Sequence, residues 1–437
     1  MTMQPARRRS SRLPARLLAA SLIALAAPMA FAQPISLRDA VQQALGHDPS
    51  IERAAADVDR SKAGIDAARA NRGVQAGLQA QVGALETDFT TDRISQIPRS
   101  AGLQAEWTVF QSGALGAAVD AAKAQKDAAG YQLLGTREQT ILDTFEAYAT
   151  AWLAERTVEV AEARVSTFRI RLDETQARFD QGQVTKTDVA LTEARLASAQ
   201  AEREAARAGL SGAWARLSRL TGVDHAVTNE PPALGELVGS TRQAAMDRVM
   251  SRNADLAAAR AAEISAGHRV AEAKGKFGPK VSLKARATTG EDMYFFFEDP
   301  ISDVGAFVTV DVPLYTSGLR SAATRDAVAG RSAAMADVRT AELQLHEAVV
   351  GLWGDIEARR LSLAAAERAE RAAELAAEGA QKEQAAGIRT LVDALDAENE
   401  FRDAQIARYR AMTQVQIAEA RLLSLSSDLE QQLQGQP

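Results

Sequence analysis

The sequence predicts an α+β fold that is mostly α, built from a duplicated helix–strand–strand–long helix unit. Three observations predict it. The chain matches itself at a constant offset of 205 residues. Between its glycines it carries very long Ala-, Glu-, Arg- and Gln-rich stretches of helical period. Those stretches are interrupted by four short runs in which apolar and polar residues alternate.

The elements follow in chain order. Residues 1–32 begin with Arg7, Arg8, Arg9, Arg12 and Arg16, continue with an apolar run from Leu17 to Ala27, and end on Ala30-Phe31-Ala32. That is the pattern of a secretory signal peptide cleaved before Gln33, with an uncleaved signal anchor as the alternative. Cleavage removes five arginines and no acids, so the formal charge moves from −6 to −11. An acidic chain argues against nucleic acid as a partner, because phosphate neutralisation needs clustered Lys and Arg. The chain has no cysteine, which excludes disulfides, a thiolate metal site and a lipidated N-terminal cysteine. After the signal no run of 18 apolar residues occurs, so any crossing of a membrane falls to β-strands.

The repeat holds one register from residue 48 to residue 188. Asp48 meets Asn253, Gly73 meets Gly278, and Phe110-Gln111-Ser112-Gly113 meets Tyr315-Thr316-Ser317-Gly318. Gly182, Thr185 and Asp188 meet Gly387, Thr390 and Asp393. A fixed offset marks a duplicated unit. The first copy is placed at 33–227 and the second at 240–430. A Pro- and Gly-bearing linker at 228–239 lies between them, and a tail follows at 431–437.

After Ser112-Gly113 the chain runs without proline to Gly182. About 68 helical residues would span roughly 100 Å. Ile141, Phe145, Tyr148 and Trp152 form a stripe at i, i+4, i+7 and i+11, and Leu345, Val349, Leu352 and Ile356 form the matching one. The pattern is coiled-coil-like, and a soluble helical bundle explains the stripes equally well. Strands are predicted near 74–86, 100–111, 279–289 and 303–315. In the second run Leu103, Ala105, Trp107 and Val109 oppose Gln104, Glu106 and Thr108. Such alternation over about ten residues suits a tilted strand between lipid and water; soluble hairpins with one packed face are the alternative. The connections 86–101 and 289–303 are read as loops, the second holding the aromatic cluster "MYFFFEDP" (293–300) near a membrane interface or packed within the loop. Four strands cannot close a barrel. Two chains give eight and three give twelve, and a pore favours three or more.

Taken together, "LRDAVQQALGHDPSI" (37–51), "VFQSG" (109–113), "PLYTSG" (313–318), "ARFDQGQVTKTDVALTEARL" (177–196) and "GIRTLVDALDAENEF" (387–401) resemble the TolC-like outer membrane efflux proteins. The resemblance spans essentially the whole mature chain. It implies a homotrimer in outer membrane lipid, with a twelve-stranded barrel continuous with a long α-helical tunnel through the periplasm. It implies no catalysis and no cofactor. Cargo would come from an inner-membrane ABC or proton-driven exporter through a periplasmic adaptor, so type I protein secretion and drug efflux both remain open. A periplasmic coiled-coil adaptor or scaffold is the rival reading.

The resemblance also implies a gate at the periplasmic entrance. Asp393 and Asp396 match the family's acidic ring, six carboxylates in three chains, which favours cations there. Arg389 matches the gate arginine, and Thr187 and Asp188 its partners on the other copy's helix. Gln384 stands where the family often has a tyrosine that ties the closed gate. Local helix chemistry explains the same motif differently. Thr185 and Thr390 fit the N-cap of a capping box with an acid at N3, and Gly182 and Gly387 fit the end of the preceding helix.

The four histidines, His47, His225, His268 and His346, have no metal-ligand spacing. No phosphate-cradling loop is present. Ser112 and Ser317, at strand-to-helix turns, lack the preceding glycine of a nucleophile elbow and are read as helix caps.

Overall fold

The computed structural model describes residues 33–88, 93–227, 229–239, 241–291 and 299–434. The predicted signal peptide lies outside the described residues, as do Met293–Glu298 of the aromatic cluster.

The first copy runs β1 (Gln33–Ile35), α1 (Leu37–His47), α2 (Pro49–Ala70), β2 (Val74–Val82), β3 (Leu85–Asp88), β4 (Arg93–Gln96), β5 (Arg99–Gln111), α3 (Ala114–Asp180) and α4 (Lys186–Thr221). β6 (His225–Val227) and the short α5 (Gly235–Val238) connect it to the second. That copy runs α6 (Arg242–Arg252), α7 (Ala254–Lys276), β7 (Lys280–Glu291), β8 (Ile301–Asp311), α8 (Leu319–Ala385), α9 (Leu391–Ser424) and α10 (Leu429–Gln434). The repeat extends to the caps. Asp48 caps α2 by accepting from Ser50 N at 2.8 Å, and its counterpart Asn253 caps α7 by accepting from Leu256 N at 2.8 Å.

α3 and α8 each have 67 residues, so each runs for about 100 Å. α3 packs on α2, α4 and α7, and α8 on α7 and α9. The main core sits part-way along these rods. Ile141, Phe145, Tyr148 and Trp152 meet Leu217, Val249, Val349, Ile356 and Leu423 there, and Ile35, Leu234 and Leu429 close the girdle around them. Burying such side chains contributes about 1.5–3 kcal/mol each. Tyr148 is fully buried and its hydroxyl donates to the carbonyls of Ile35 at 3.3 Å and Asn229 at 3.1 Å. A second, smaller cluster of Val165, Phe168, Ala199 and Leu395 ties α3, α4 and α9 toward the far end.

The sheet has the order β2-β5-β7-β8, antiparallel throughout. Its register sorts the residues by face. Val74, Leu78, Trp107, Leu283, Val304 and Val308 lie on one face, while Gln75, Gln104, Glu106, Lys284, Arg286 and Thr309 lie on the other. The apolar face is exposed: Leu78 at 75%, Val304 at 83%, Val308 at 72%.

Two expectations are corrected. The connection read as a loop at 86–101 contains the β3–β4 hairpin, with Arg93 bonded to Asp88 at 2.6 Å and to Glu86 at 3.2 Å across it. Ser112 and Ser317 are not helix caps. Both are left-handed (φ 47°), one residue before the true N-caps Gly113 (φ 80°) and Gly318 (φ 86°). Two successive positive-φ residues give the tight turn that swings strand into helix. The Ser112 hydroxyl instead donates across the sheet to the Pro279 carbonyl at 3.0 Å.

Candidate functional site

Two features stand out: the helix–turn–helix ends that carry the predicted gate residues, and the wall formed by the sheet. At the first end α3 stops in a Schellman turn. Gly182 N donates to Phe179 O at 2.8 Å and Gln183 N to Arg178 O at 2.9 Å. At the second, Gly387 N donates to Gln384 O at 3.0 Å and Ile388 N to Glu383 O at 2.9 Å. Both turns need a left-handed residue, and Gly182 (φ 71°) and Gly387 (φ 73°) supply it. Here the recurring glycine has a purely local cause.

The recurring threonine and aspartate have one as well. Thr185 caps α4: Asp188 N donates to its Oγ1 at 3.3 Å, and Thr185 N donates to Asp188 Oδ2 at 2.8 Å. The backbone and hydroxyl bonds from Thr185 hold the Asp188 carboxyl below the usual carboxylate range. Thr390 caps α9 through Asp393 N at 3.2 Å, and its hydroxyl donates to Asp393 Oδ2 at 2.6 Å. Thr187 is exposed in the first turn of α4.

Arg389 and Asp188 are not brought together within this chain. The Arg389 guanidinium lies 3.1 Å from Glu383 on the preceding turn. Gln384 is half-buried, and its carbonyl accepts the Gly387 N–H. Asp396 has a partner that the sequence did not indicate: Arg195 Nη2 of α4 donates to its Oδ1 at 2.7 Å. Under the repeat Arg195 corresponds to Glu400 and Asp396 to Leu191, so the pair falls outside the duplicated pattern and left no periodic trace. Behind it the buried Arg164 of α3 bonds both Glu202 of α4 and Asp403 of α9. Burial works against the charge of Arg164, and the bonds from Asp403 and Glu202 outweigh it, raising its pKa. Glu398 of α9, also buried, accepts from Gln381 Nε2 of α8 at 3.0 Å and from Arg402 Nε at 2.9 Å. The end is thus cross-tied between the two copies by charge.

At the girdle Glu138 of α3 is buried and accepts from the backbone N–H groups of Leu429 and Glu430, at the start of α10. Burial, with the nearby carboxylates of Glu430 and Asp428, pushes its pKa up to about 7.

The wall separates its two faces over most of its length, with Phe307 as an apolar residue on the polar face and Arg99 beside Glu291 at the end of the apolar one. Nine residues, as in β2, at about 3.3 Å each would give an apolar band roughly 22 Å tall at the ~40° tilt typical of outer membrane barrels. The polar face balances its charges, with Lys280 Nζ 3.0 Å from Glu106 and Arg286 Nη2 3.0 Å from Asp303. Among the described residues no helix is long and apolar enough to cross a membrane, and no cluster of side chains suits a metal ion.

Comparison with known proteins adds family evidence. The model of a family described as "Outer membrane efflux protein" matches residues 40–223 and 245–427, one stretch in each copy. A curated relative, outer membrane efflux protein BepC of Brucella suis biovar 1 (strain 1330), is 32% identical over 165 residues. That alignment spans 37% of this chain and 35% of the relative. Among solved structures, a membrane protein from Pseudomonas aeruginosa superposes with a TM-score of 0.77 at 20% identity, over 89% of this chain and 93% of that one. VceC of Vibrio cholerae gives 0.74 at 20% identity, over 90% and 96%. CusC gives 0.76 at 15% identity, over 91% and 93%. At these identities the structures speak for the fold.

Proposed function

The chain belongs to the outer membrane efflux protein family, a family of channel proteins, and from that premise we propose that it is the passive exit duct of a three-part exporter. Three copies share one twelve-stranded barrel and one helical tunnel. A periplasmic adaptor joins the tunnel to an inner-membrane pump, ABC or proton-driven, which supplies the energy. One observation carries the reading. A four-stranded sheet with one apolar and one polar face, whose edge strands β2 and β8 have no further strand partner among the described residues, runs through single tight turns into helices of 67 residues. A soluble scaffold has no use for that apolar face. Edges left open in lipid would each strand a row of backbone groups at a cost of several kcal/mol apiece.

The gate belongs to the same proposal. The helix–turn–helix ends close the periplasmic mouth, with Asp393 and Asp396 facing the constriction. Thr187, Asp188, Gln384 and Arg389 lie where neighbouring coiled coils meet. Within one chain Arg389 rests on Glu383 and Asp188 on Thr185, so a link between Arg389 and Asp188 would form between coiled coils at the expense of these local bonds. Small-molecule efflux is the cargo reading we favour, because the curated relative is named as an efflux protein.

The test has two stages. Detergent-extracted protein from the outer membrane fraction should have the mass of three chains and conduct ions in planar bilayers; a soluble monomer sinks the proposal. A deletion strain should then become sensitive to toxic compounds with its secreted proteins unchanged. Loss of one or a few large proteins from the medium would instead assign the duct to type I secretion.

A further inference from the structure

Among the described residues the polar face of the four-stranded sheet carries a single aromatic side chain, Phe307 of β8. A water-facing wall asks only for polar groups, and the first copy supplies little else there: Gln75, Gln79, Gln81 and Gln104. Under the repeat Phe307 stands where Gly102 does, Lys284 where Gln79 does, and Arg286 where Gln81 does. The second hairpin therefore sets one ring and two cations where the first has a glycine and two glutamines. Neither strand pairing nor solvation calls for that change.

The ring has a built seat. In the β7–β8 register Phe307 is opposite Lys284, and Arg286 is opposite Gly305. The Arg286 guanidinium lies 5.6 Å from the ring centroid and donates to Asp303 Oδ2 at 3.0 Å. The ring leans back along its own strand over Gly305, where a Cβ would come 2.9 Å from two ring carbons. What Gly305 supplies is space. The ring stays against the wall and 50% exposed. The charges around it are unevenly matched. Glu106, beside Lys284 on β5, is bonded to Lys280 at 3.0 Å, and Asp311 is also opposite Lys280. Lys284 is exposed and makes no salt bridge among the described residues. Phe307, Lys284 and Arg286 line one groove of about 530 Å³, with Gln75, Gln104 and Thr309 beside them.

We propose that this groove is a binding station on the lumen wall for an aromatic anion, a flat ring bearing a carboxylate or sulfonate. This rests on the shared-barrel reading above, which turns the polar face inward, and adds the cargo chemistry that the wall favours. The cargo ring lies on Phe307, offset-stacked or edge-on. Its anionic group reaches the ammonium of Lys284, and Arg286 holds the Phe307 ring in place by cation–π attraction. The groove has the size of a small-molecule site. One open ring and one free cation hold such a guest weakly, which suits a duct, because a conducting site must be left as readily as it is entered. Each chain brings one station, on its second hairpin. The first hairpin, with Gly102, Gln79 and Gln81 at the same places, brings none.

The test uses the full chain in planar bilayers, with 2-naphthalenesulfonate as the probe. The probe should interrupt the single-channel current. Cyclohexanesulfonate keeps the charge without the aromatic ring, and 2-naphthylmethylammonium keeps the ring with the opposite charge. Each should reside several-fold more briefly than the probe. Phe307→Leu and Lys284→Gln should each shorten the residence of 2-naphthalenesulfonate several-fold, whereas Gln79→Ala, at the first-copy counterpart of Lys284, should leave it as in the parent. Equal residence of the three compounds in the parent overturns the station whether or not the variants assemble. So does an unchanged residence of the probe in conducting Phe307→Leu and Lys284→Gln channels. Failure of the shared barrel reads differently. The chain has no native cysteine, so a charged thiol reagent in water should lower the conductance of Thr309→Cys, on the polar face, and leave Val308→Cys, on the apolar face, unaltered. A monomer by mass, or a Thr309→Cys channel that the reagent does not change, overturns the placing of the polar face in a lumen and the station with it.

Discussion

Replacing Arg195 with glutamine tests the gate proposed above. Arg195 joins α4 of the first copy to Asp396 in α9 of the second at 2.7 Å, with side chains 37% and 54% exposed. An exposed pair of this kind is worth about 0.2–1 kcal/mol. Three copies opening together would lose about 0.6–3 kcal/mol of closed-state preference, a roughly 3- to 150-fold rise in the open-to-closed ratio. The substitution also leaves Asp396 uncompensated, so cation preference should increase. Single-channel recording in planar bilayers reads both quantities. The gap between R195Q and parent should narrow in 1 M salt, where the Debye length is about 3 Å. Asp396→Asn should loosen the mouth as R195Q does yet shift selectivity the other way, and the double variant should open little more than either single one. A trimeric R195Q channel with the parent's open probability and selectivity at low salt would refute the reasoning.

Two further outcomes follow from groups away from that pair. Glu138 has its folded pKa raised to about 7, so the folded chain binds the extra proton between the unfolded carboxyl's titration near 4.5 and pH 7. Stability must therefore fall as pH rises through that window, by on the order of 3 kcal/mol per chain. Melting of the detergent-solubilised protein should drop from pH 5 to pH 8 in the parent and lose most of that slope in Glu138→Gln; the charged groups around it pair among themselves, Arg137 with Glu430 and Arg252 with Asp428. At the mouth, Gly387→Ala forces a left-handed alanine at φ 73° and should cost about 1–2 kcal/mol, read as faster amide exchange in residues 383–390. Gly209→Ala, on an open helical face with nothing within 4 Å, should not.

Much of this architecture was legible because lipid and coiled coils both write periodic constraints into sequence. The wall residues alternate because one face meets hydrocarbon, and the register preserves the alternation across all four strands. Ile141, Phe145, Tyr148 and Trp152 recur at helical spacing because all four are buried in the girdle. The stripe of the same spacing in α8, one residue out of step with the 205 offset, is only half buried within the chain: Val349 and Ile356 are covered, while Leu345 and Leu352 are partly so. The same spacing therefore marked one face fully buried within the chain and another only partly buried there. The β3–β4 hairpin escaped because its four-residue strands are too short to show a period. The roles of Ser112 and Arg195 escaped for another reason. Each acts across copies at a distance of more than 160 residues, and a single contact of that kind has no local pattern.

The repeat explains the motif at the mouth only in part. Glycine, threonine and aspartate recur at 182, 185, 188 and at 387, 390, 393 because a helix must end, turn and begin again in both copies. Function enters where the copies diverge. The first turn completes its capping box, so Asp188 is held by both the N–H and the hydroxyl of Thr185. In the second turn the Arg389 N–H leans on Glu383 O at 3.4 Å and its guanidinium on the Glu383 carboxylate. Asp396 has no acidic counterpart in the first copy, where Leu191 stands, and it alone carries the tie to Arg195. A sixfold mouth would repeat one contact six times. In the gate proposed above these departures would reduce it to threefold, alternating a locally satisfied turn with one tied across copies, and opening would be expected to begin at the second turn, where exposed charge pairs rather than a closed capping box hold the end.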